Sequence, residues 1–573
     1  MKKLMLGNEA IAQGAWEAGV RVVSSYPGTP STEITENCAK YKEMNCEWAP
    51  NEKTAVEVAF GACMGGARAL SCMKHVGVNV AADPIFTAAY TGVNGGLVIA
   101  CADDPAMFSS QNEQDSRMYA RAAHMPMLEP ADSQECKDYM KLAYRLSEEY
   151  DTPVFLRLTT RLAHSRSPVE TGEREEKEAV PYKKDYMKYV MMPGMAKKRH
   201  VFVEEREKRL ADKAGEMPVN RVEMRGKDLG VICGGVVYQY VREALPDASV
   251  LKLGLTYPIN EKQIRDFVSQ VKRAVVIEEL EPVLEKEIRA MGIEVTGKDQ
   301  TGLQGELSAA RIAELFGQEN SAPISPKALP ARPPVLCPGC PHRATFFVFN
   351  QMGLNVMGDI GCYTLCALPP VERMDAALCM GASIGMAHGL EKAQGREFSK
   401  KTVAVLGDST FIHSGITGLI DAVYDRSAMT VVILDNRITG MTGHQQNPAT
   451  GFDIYGNPAP QLDLEALCTA IGAHVRVHDP HDLKGFRQVL SEELMYDGVS
   501  VVIARRPCAL LDKRKKVSVS IENCRNCGTC MKIGCPALER GENGVKVNTT
   551  LCVGCGLCSG MCPFKCIRGG DEA

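Results

Sequence analysis

GDSTFIHSGITGLIDAVYDRSAMTVVILDNRITGMTG, Gly407 to Gly443, is the stretch from which the fold can be read. An apolar run, Thr402 to Leu406, leads into it and predicts a buried parallel strand that ends at Gly407-Asp408. A helix-like segment follows. A second apolar run, Thr430 to Leu434, then ends at Asp435-Asn436. Asp408 and Asn436 stand 28 positions apart, the length of one β-α-β crossover. The two strand ends therefore become neighbours at the C-terminal edge of a parallel sheet, where open α/β sheets bind ligands. A hard divalent cation takes oxygen ligands and keeps phosphate oxygens in its shell. Asp408, Asn436 and the backbone carbonyl of Ile438 offer such a set. An ordinary crossover with two polar strand ends is the plainer alternative.

Working outward, the pattern resembles the diphosphate and Mg²⁺ site of thiamine diphosphate enzymes, with Ser409 where that family has glycine. Gly407, Asp408, Ser409, Asn436, Ile438 and Thr442 are the cofactor-binding candidates that this resemblance implies. The chain from 335 to 511 is then expected to be the diphosphate domain, entered through a proline-rich linker, Pro323 to Pro334.

Residues 1–170 predict a second α/β domain. Val20 to Ser25 is strand-like and runs into Tyr26-Pro27-Gly28-Thr29-Pro30-Ser31. Asn51-Glu52 opens an Ala/Gly-rich helix that ends near Ala67-Arg68. This resembles the pyrimidine-binding domain of the same enzymes. There a glutamate at the position of Glu52 hydrogen-bonds the aminopyrimidine and drives it to the imino tautomer. The proline-rich turn resembles a signature of 2-oxoacid:ferredoxin oxidoreductases, which implies Thr29 at the substrate carboxylate. Arg117 is the candidate for the arginine that also binds it.

Residues 171–225 are charge-dense and read as a solvated connection with some helix. Residues 226–322 predict another α/β unit, with Leu229 to Gly235 as strand and glycine turn and Val275 to Glu279 as a second strand end. It resembles the transketolase C-terminal-like domain of those oxidoreductases.

Composition narrows the rest. The 573 residues are 45% hydrophobic and 24% charged, with net charge −4, which argues against nucleic acid as a main partner. No apolar run approaches the roughly 20 residues of a membrane span. The apolar start at Leu4 to Leu6 stops at Gly7-Asn8-Glu9, short of a signal-peptide core, so a cytoplasmic location is expected. Yet there are 23 cysteines, nine of them between Cys524 and Cys566. In that compartment metal, not disulfide, is the expected role.

After a basic hinge, Lys513 to Lys516, the segment 517–573 carries Cys524-x-x-Cys527-x-x-Cys530 with Cys535-Pro536. It then carries Cys552-x-x-Cys555-x-x-Cys558 with Cys562-Pro563. Three thiolates at two-residue gaps wrap one [4Fe–4S] cluster, and the distant fourth crosses to the other. The tail resembles a bacterial two-cluster ferredoxin. One cluster takes Cys524, Cys527, Cys530 and Cys562, the other Cys535, Cys552, Cys555 and Cys558. Zinc is the bland alternative, but zinc sites pair their cysteines. A third [4Fe–4S] cluster at Cys337, Cys340, Cys362 and Cys508 is implied by the related oxidoreductases, against a reading of these as free structural cysteines.

The motif order, covering nearly the whole chain, resembles the alpha subunits of indolepyruvate:ferredoxin oxidoreductases. That resemblance implies oxidative decarboxylation of an arylpyruvate, transfer of the acyl group to coenzyme A, and electrons passed to ferredoxin. It also implies a smaller beta subunit in a hetero-oligomer. A non-oxidative thiamine diphosphate lyase with a structural cluster tail, and an electron-transfer module, are the alternatives.

Overall fold

The computed structural model describes residues 1–318, 333–511 and 518–569. Most of the proline linker (323–332) and the whole basic hinge (513–516) fall outside them. The chain divides into two units, Met1–Ala328 and Leu329–Ala573.

In the first unit a seven-stranded sheet runs in the order Leu255–Tyr257, Met127–Leu128, Val154–Thr159, Leu97–Asp103, Ala69–Lys74, Val22–Ser25, Asn45–Trp48. All neighbours are parallel except the first pair. Strands Ala69–Lys74 and Leu97–Asp103 are buried at every position, as parallel strands covered on both faces must be. Helices Glu52–Met64 and His75–Thr91 follow their strands on tight connections. Asn51 starts the first by accepting the Thr54 amide at 2.9 Å.

A second sheet orders Arg273–Val276, Leu229–Gly234, Ser249–Leu253 and Arg221–Glu223, the last antiparallel. Apolar clusters cover it on both sides. The two halves of this unit share elements, since strand Leu255–Tyr257 leaves its own neighbours to complete the first sheet.

The charged connection needs correcting. Helix Pro193–Ala214 buries Val203, Arg206, Leu210 and Ala214. Arg206 donates to the carbonyls of Ala89, Asp151 and His124 at 3.1 Å each. A charged helix can be polar along most of its length and still bury one stripe, here through an arginine that caps backbone carbonyls.

The second unit holds a wholly parallel sheet in the order Ala376–Ala377, Asn355–Gly358, Thr402–Gly407, Met429–Asp435, Val499–Arg505, His474–His478. Thr402–Gly407 and Met429–Asp435 lie side by side with Gly407 opposite Leu434. The crossover between them contains a π-helical turn, Phe411–Gly415. The tail, from 518 on, forms two small antiparallel ribbons, Ser520–Ile521 with Ile567–Arg568 and Leu538–Gly541 with Gly544–Val547. It packs on this unit: Ala344 and Phe347 share one apolar cluster with Val519, Ile533, Leu538 and Leu557. No helix among the described residues is long and apolar enough to cross a membrane.

Candidate active site and cluster sites

The second unit's strand ends carry the polar groups first. Asp408 is 2% exposed. One carboxylate oxygen accepts the Ser409 amide at 2.8 Å, and the other makes no well-formed hydrogen bond, although the Asn447 side chain and the Arg437 amide lie near the carboxylate. Burial, with the charge of Asp435 beside it, pushes its pKa up to about 7. Across the sheet edge, Asn436 Oδ1 accepts the Ile438 amide at 3.1 Å, while Arg437 between them adopts φ 61°. This turn folds Ile438 back beside the strand end. Ser409 is tied to it, since Thr439 Oγ1 donates to Ser409 Oγ at 2.9 Å. The Gly407 amide donates to the Tyr363 hydroxyl at 3.1 Å. Thr442 donates to Gln445 at 2.5 Å, which closes the following loop.

An oxygen-ligand site for a cation fits these residues. A buried carboxylate oxygen without a partner is costly unless something positive completes it. The diphosphate of thiamine diphosphate with a divalent cation supplies that charge.

Asp359 carries the same Gly-Asp signal at a strand end and was not singled out from the sequence. It follows Gly358 as Asp408 follows Gly407. It accepts the amides of Gly381 at 3.0 Å and Ser383 at 3.1 Å, which fixes the entry to helix Ala382–Gln394. His342 was also passed over. It is buried, and Asn436 Nδ2 donates to its Nε2 at 3.5 Å. Burial drops its pKa to about 4, so it is neutral and can accept.

Two cysteine sets converge in the tail. Cys524, Cys527, Cys530 and Cys562 line one pocket, with Cys566 as a fifth. Cys535, Cys552, Cys555 and Cys558 line another. The second pocket is also bounded by Pro338, Gly339 and Arg343. Among the described residues no three His, Cys, Asp or Glu side chains are close enough to share one metal ion.

Near Asn436 the remaining cysteines gather. The Cys508 amide donates to the Asn436 carbonyl at 2.9 Å. The Cys362 thiol is pushed up to about 11 by burial, with Cys508 and Cys337 adding their charge. Burial raises Cys340 too, with Cys362 and Cys366 among its neighbours. Cys379 is exposed.

In the first unit Glu52 is 4% exposed at the first turn of its helix. Helix His75–Thr91 crosses it at Gly77, where a Cβ would lie 2.6 Å from Glu52 Oε1. Thr29 is half-buried in the turn after strand Val22–Ser25.

Arg117 is a correction. It is 4% exposed, and its guanidinium is spent on Asp115, on Glu278 at 2.6 Å and on the carbonyls of Glu279 and Glu281. Arg157 beside it binds Asp103 at 2.6 Å and Glu129 at 2.5 Å. Burial works against the Asp115 carboxylate, but Arg117 and Arg157 hold it down to about 2. This buried network ties the two sheets of the unit together and occupies most of the Arg117 guanidinium. A lone arginine after a polar loop carries no sequence signal that separates the two roles.

Comparison with known proteins then gives the class. Residues 13–226 match the model "Pyruvate flavodoxin/ferredoxin oxidoreductase, thiamine diP-bdg". Residues 359–504 match "Thiamine pyrophosphate enzyme, C-terminal TPP binding domain", and 545–568 match "4Fe-4S binding domain". The protein is a subunit of a thiamine diphosphate-dependent, iron–sulfur 2-oxoacid:ferredoxin oxidoreductase. Similar full-length proteins are the "Indolepyruvate oxidoreductase subunit IorA" of Archaeoglobus fulgidus, 42% identical over 99% of this chain and 97% of that one, and of Methanothermobacter thermautotrophicus, 39% identical over 99% and 97%. The "2-oxoglutarate synthase subunit KorA" of Methanocaldococcus jannaschii is 28% identical over 34% of this chain and 57% of its own. The chain belongs to the indolepyruvate oxidoreductase subunit IorA family.

Proposed function

We propose that this chain is the catalytic subunit of an arylpyruvate oxidoreductase that converts indolepyruvate-type acids and coenzyme A to an acyl-CoA and CO₂, with ferredoxin as acceptor. The observation that carries it is the unpartnered, buried oxygen of Asp408 beside the Asn436–Ile438 turn, in the same unit as the cysteine sets. Bound thiamine diphosphate supplies the electron sink for loss of CO₂. Asp408, Asn436 and the Ile438 carbonyl would hold Mg²⁺ and the diphosphate, with Gly407, Ser409 and Thr442 at the loop. Glu52 would hold the aminopyrimidine proton. Thr29 would meet the substrate carboxylate.

The cysteine sets supply one-electron relays, which two-electron decarboxylation chemistry needs if ferredoxin is to accept. Cys337, Cys340, Cys362 and Cys508 would take a third cluster next to the Asn436 loop. Pro338 and Gly339, between the first two of these, border the Cys535 set. Among the described residues, none before 518 borders the Cys524 set. Its rim is basic: Arg525, Lys565 and Arg568 are exposed, Arg540 reaches Gly528, and Glu522 pairs with Arg568 at 3.8 Å. That charge suits an acidic acceptor such as ferredoxin.

The domains would be pyrimidine (1–170), a packed connection (171–225), transketolase-like (226–322), diphosphate (335–511) and ferredoxin-like (517–573). The relatives are named as subunits, which supports a smaller beta subunit. A cysteine-rich, disulfide-free chain supports a cytoplasmic location.

Anaerobically purified two-subunit enzyme tests the reading. Cluster bleaching that requires arylpyruvate and coenzyme A, with about twelve irons per chain, is the expected result. Aldehyde release without bleaching would favour the lyase. About eight irons would remove the third cluster.

A further inference from the structure

A 2-oxoacid brings a carboxylate, and Arg117 is not free to meet it. Another cation is. Lys74 ends the central strand Ala69–Lys74, which pairs with Val22–Ser25, the strand that leads into the Thr29 turn. Its stem runs along that turn: a Cβ on Gly28 would lie 3.2 Å from Lys74 Cγ. Its Nζ donates to the Ser109 carbonyl at 2.9 Å, and Ser109 Oγ donates to the Thr29 carbonyl at 3.4 Å. Lys74 is 9% exposed and forms no ion pair among the described residues, although the charges of Asp104 and Glu52 reach it. Asp104, the nearest acid on this edge, is occupied by Thr160 at 2.6 Å and by Ser110 at 2.7 Å.

The next residue sharpens the case. His75 is 1% exposed and begins the helix His75–Thr91; neither ring nitrogen makes a well-formed hydrogen bond, although the Asn112 backbone lies beside the ring. Two buried polar groups, one cationic and one with unmet hydrogen-bonding capacity, stand together at a helix N-terminus. Such an arrangement is costly when empty and suits an anion. Glu52 lies against the same helix one turn on, at Gly77.

We propose that Lys74, with His75 beside it, is the subsite for the carboxylate of the 2-oxoacid. The two remaining ammonium hydrogens go to the carboxylate, and Thr29 adds its hydroxyl. Lys74 thus takes the role for which the sequence offered Arg117. The inference rests on the 2-oxoacid reading above.

The test uses the two-subunit holoenzyme with phenylpyruvate and indolepyruvate. Lys74→Met is expected to raise KM about 10–100-fold, the loss of its charge-assisted contact with the carboxylate. Thiamine diphosphate content should stay at the wild-type level. Lys74→Arg should recover most of the affinity. The methyl ester of phenylpyruvate, which lacks the charge, should inhibit wild type and Lys74→Met with the same Ki. An unchanged KM in Lys74→Met, or a Ki shift for the ester equal to the KM shift, overturns the subsite. So does loss of the cofactor in both variants, which would make Lys74 part of the cofactor site. If wild-type enzyme turns over neither acid while it retains cofactor and clusters, the 2-oxoacid reading itself fails.

Discussion

Gly77 and Glu52 touch: a methyl group on Gly77 would stand 2.6 Å from Oε1 and 2.8 Å from Cγ of Glu52. The helix His75–Thr91 can therefore cross the glutamate only without a side chain at that point. Gly77→Ala is expected to displace the carboxylate and cut turnover about 10²-fold or more, as loss of positioned proton transfer does. Glu52→Gln should do the same while thiamine diphosphate stays bound. Steady-state turnover beside calorimetric cofactor affinity checks both, and full activity in either variant would take Glu52 out of the chemistry.

Asp408→Ala removes the oxygen that has no partner in the protein. Mg²⁺-dependent binding of thiamine diphosphate should weaken by at least the roughly 10–100-fold seen when groups around a metal are lost. Asp408→Asn, which keeps the shape, should lose affinity too, because it lacks the charge. Titration calorimetry that finds wild-type affinity for Asp408→Asn would show that charge is not what the site uses.

Gly339 has φ +73°, and a Cβ there would meet Val553 Cγ2 at 2.4 Å. Gly339→Ala should push the tail off the Cys337–Cys340 turn. Cofactor binding should survive and ferredoxin reduction should slow. Stopped-flow bleaching of the tail clusters, compared with cofactor content, separates the two effects.

The basic rim of the Cys524 pocket predicts salt-sensitive traffic with ferredoxin. Arg525→Glu with Lys565→Glu should raise the KM for ferredoxin and flatten its ionic-strength dependence. Reduction of methyl viologen, a small acceptor, should be unchanged. A ferredoxin KM equal to wild type at low salt would move the docking surface elsewhere.

Glu279 carries a pH effect on stability. Burial pushes its pKa up to about 7, above the ordinary glutamate value. The folded state therefore prefers the protonated form. The stability from this group is fully present below the unfolded pKa and is lost as pH rises through 7. Glu279→Gln mimics the protonated form and retains an oxygen for the Leu307 amide, which Glu279 accepts at 3.0 Å. It should stabilise the fold at pH 8, by on the order of 3 kcal/mol at most, and change little at pH 5. Calorimetry at the two pH values decides, and equal shifts at both would point to packing.

Local pattern made much of this protein legible. The Thr402–Leu406 and Thr430–Leu434 runs read as buried strands because a parallel strand covered on both faces has no polar alternation. Cysteine spacing divided the tail into two sets by the rule that displaces each fourth ligand, and each set lines one pocket. What escaped was set by distant contacts. Arg117 could not be told from a substrate arginine, since Glu278, its partner, lies 161 residues on. Lys74 and His75 sit in an unremarkable Met-Lys-His-Val run, and only the fold shows that both are buried and that Lys74 has no ion-pair partner among the described residues. Arg206 hid in a charged helix for the same reason. Asp359 had a visible signal, the Gly-Asp at a strand end, used once for Gly407-Asp408 and not applied again.

The seating of the tail on Ala344 and Phe347 has a consequence for how this enzyme ages in air. The tail's cysteine pockets share their apolar walls with the helix His342–Met352, which carries both residues, so cluster and interior are one structure. Oxygen that dissolves the clusters would remove the scaffold that shapes the tail, and the Phe347 face would meet water. Oxidative injury would then register as a sticky, protease-sensitive protein instead of an intact enzyme that has merely lost its current, and exposure to oxygen would set the protein's lifetime as well as its rate.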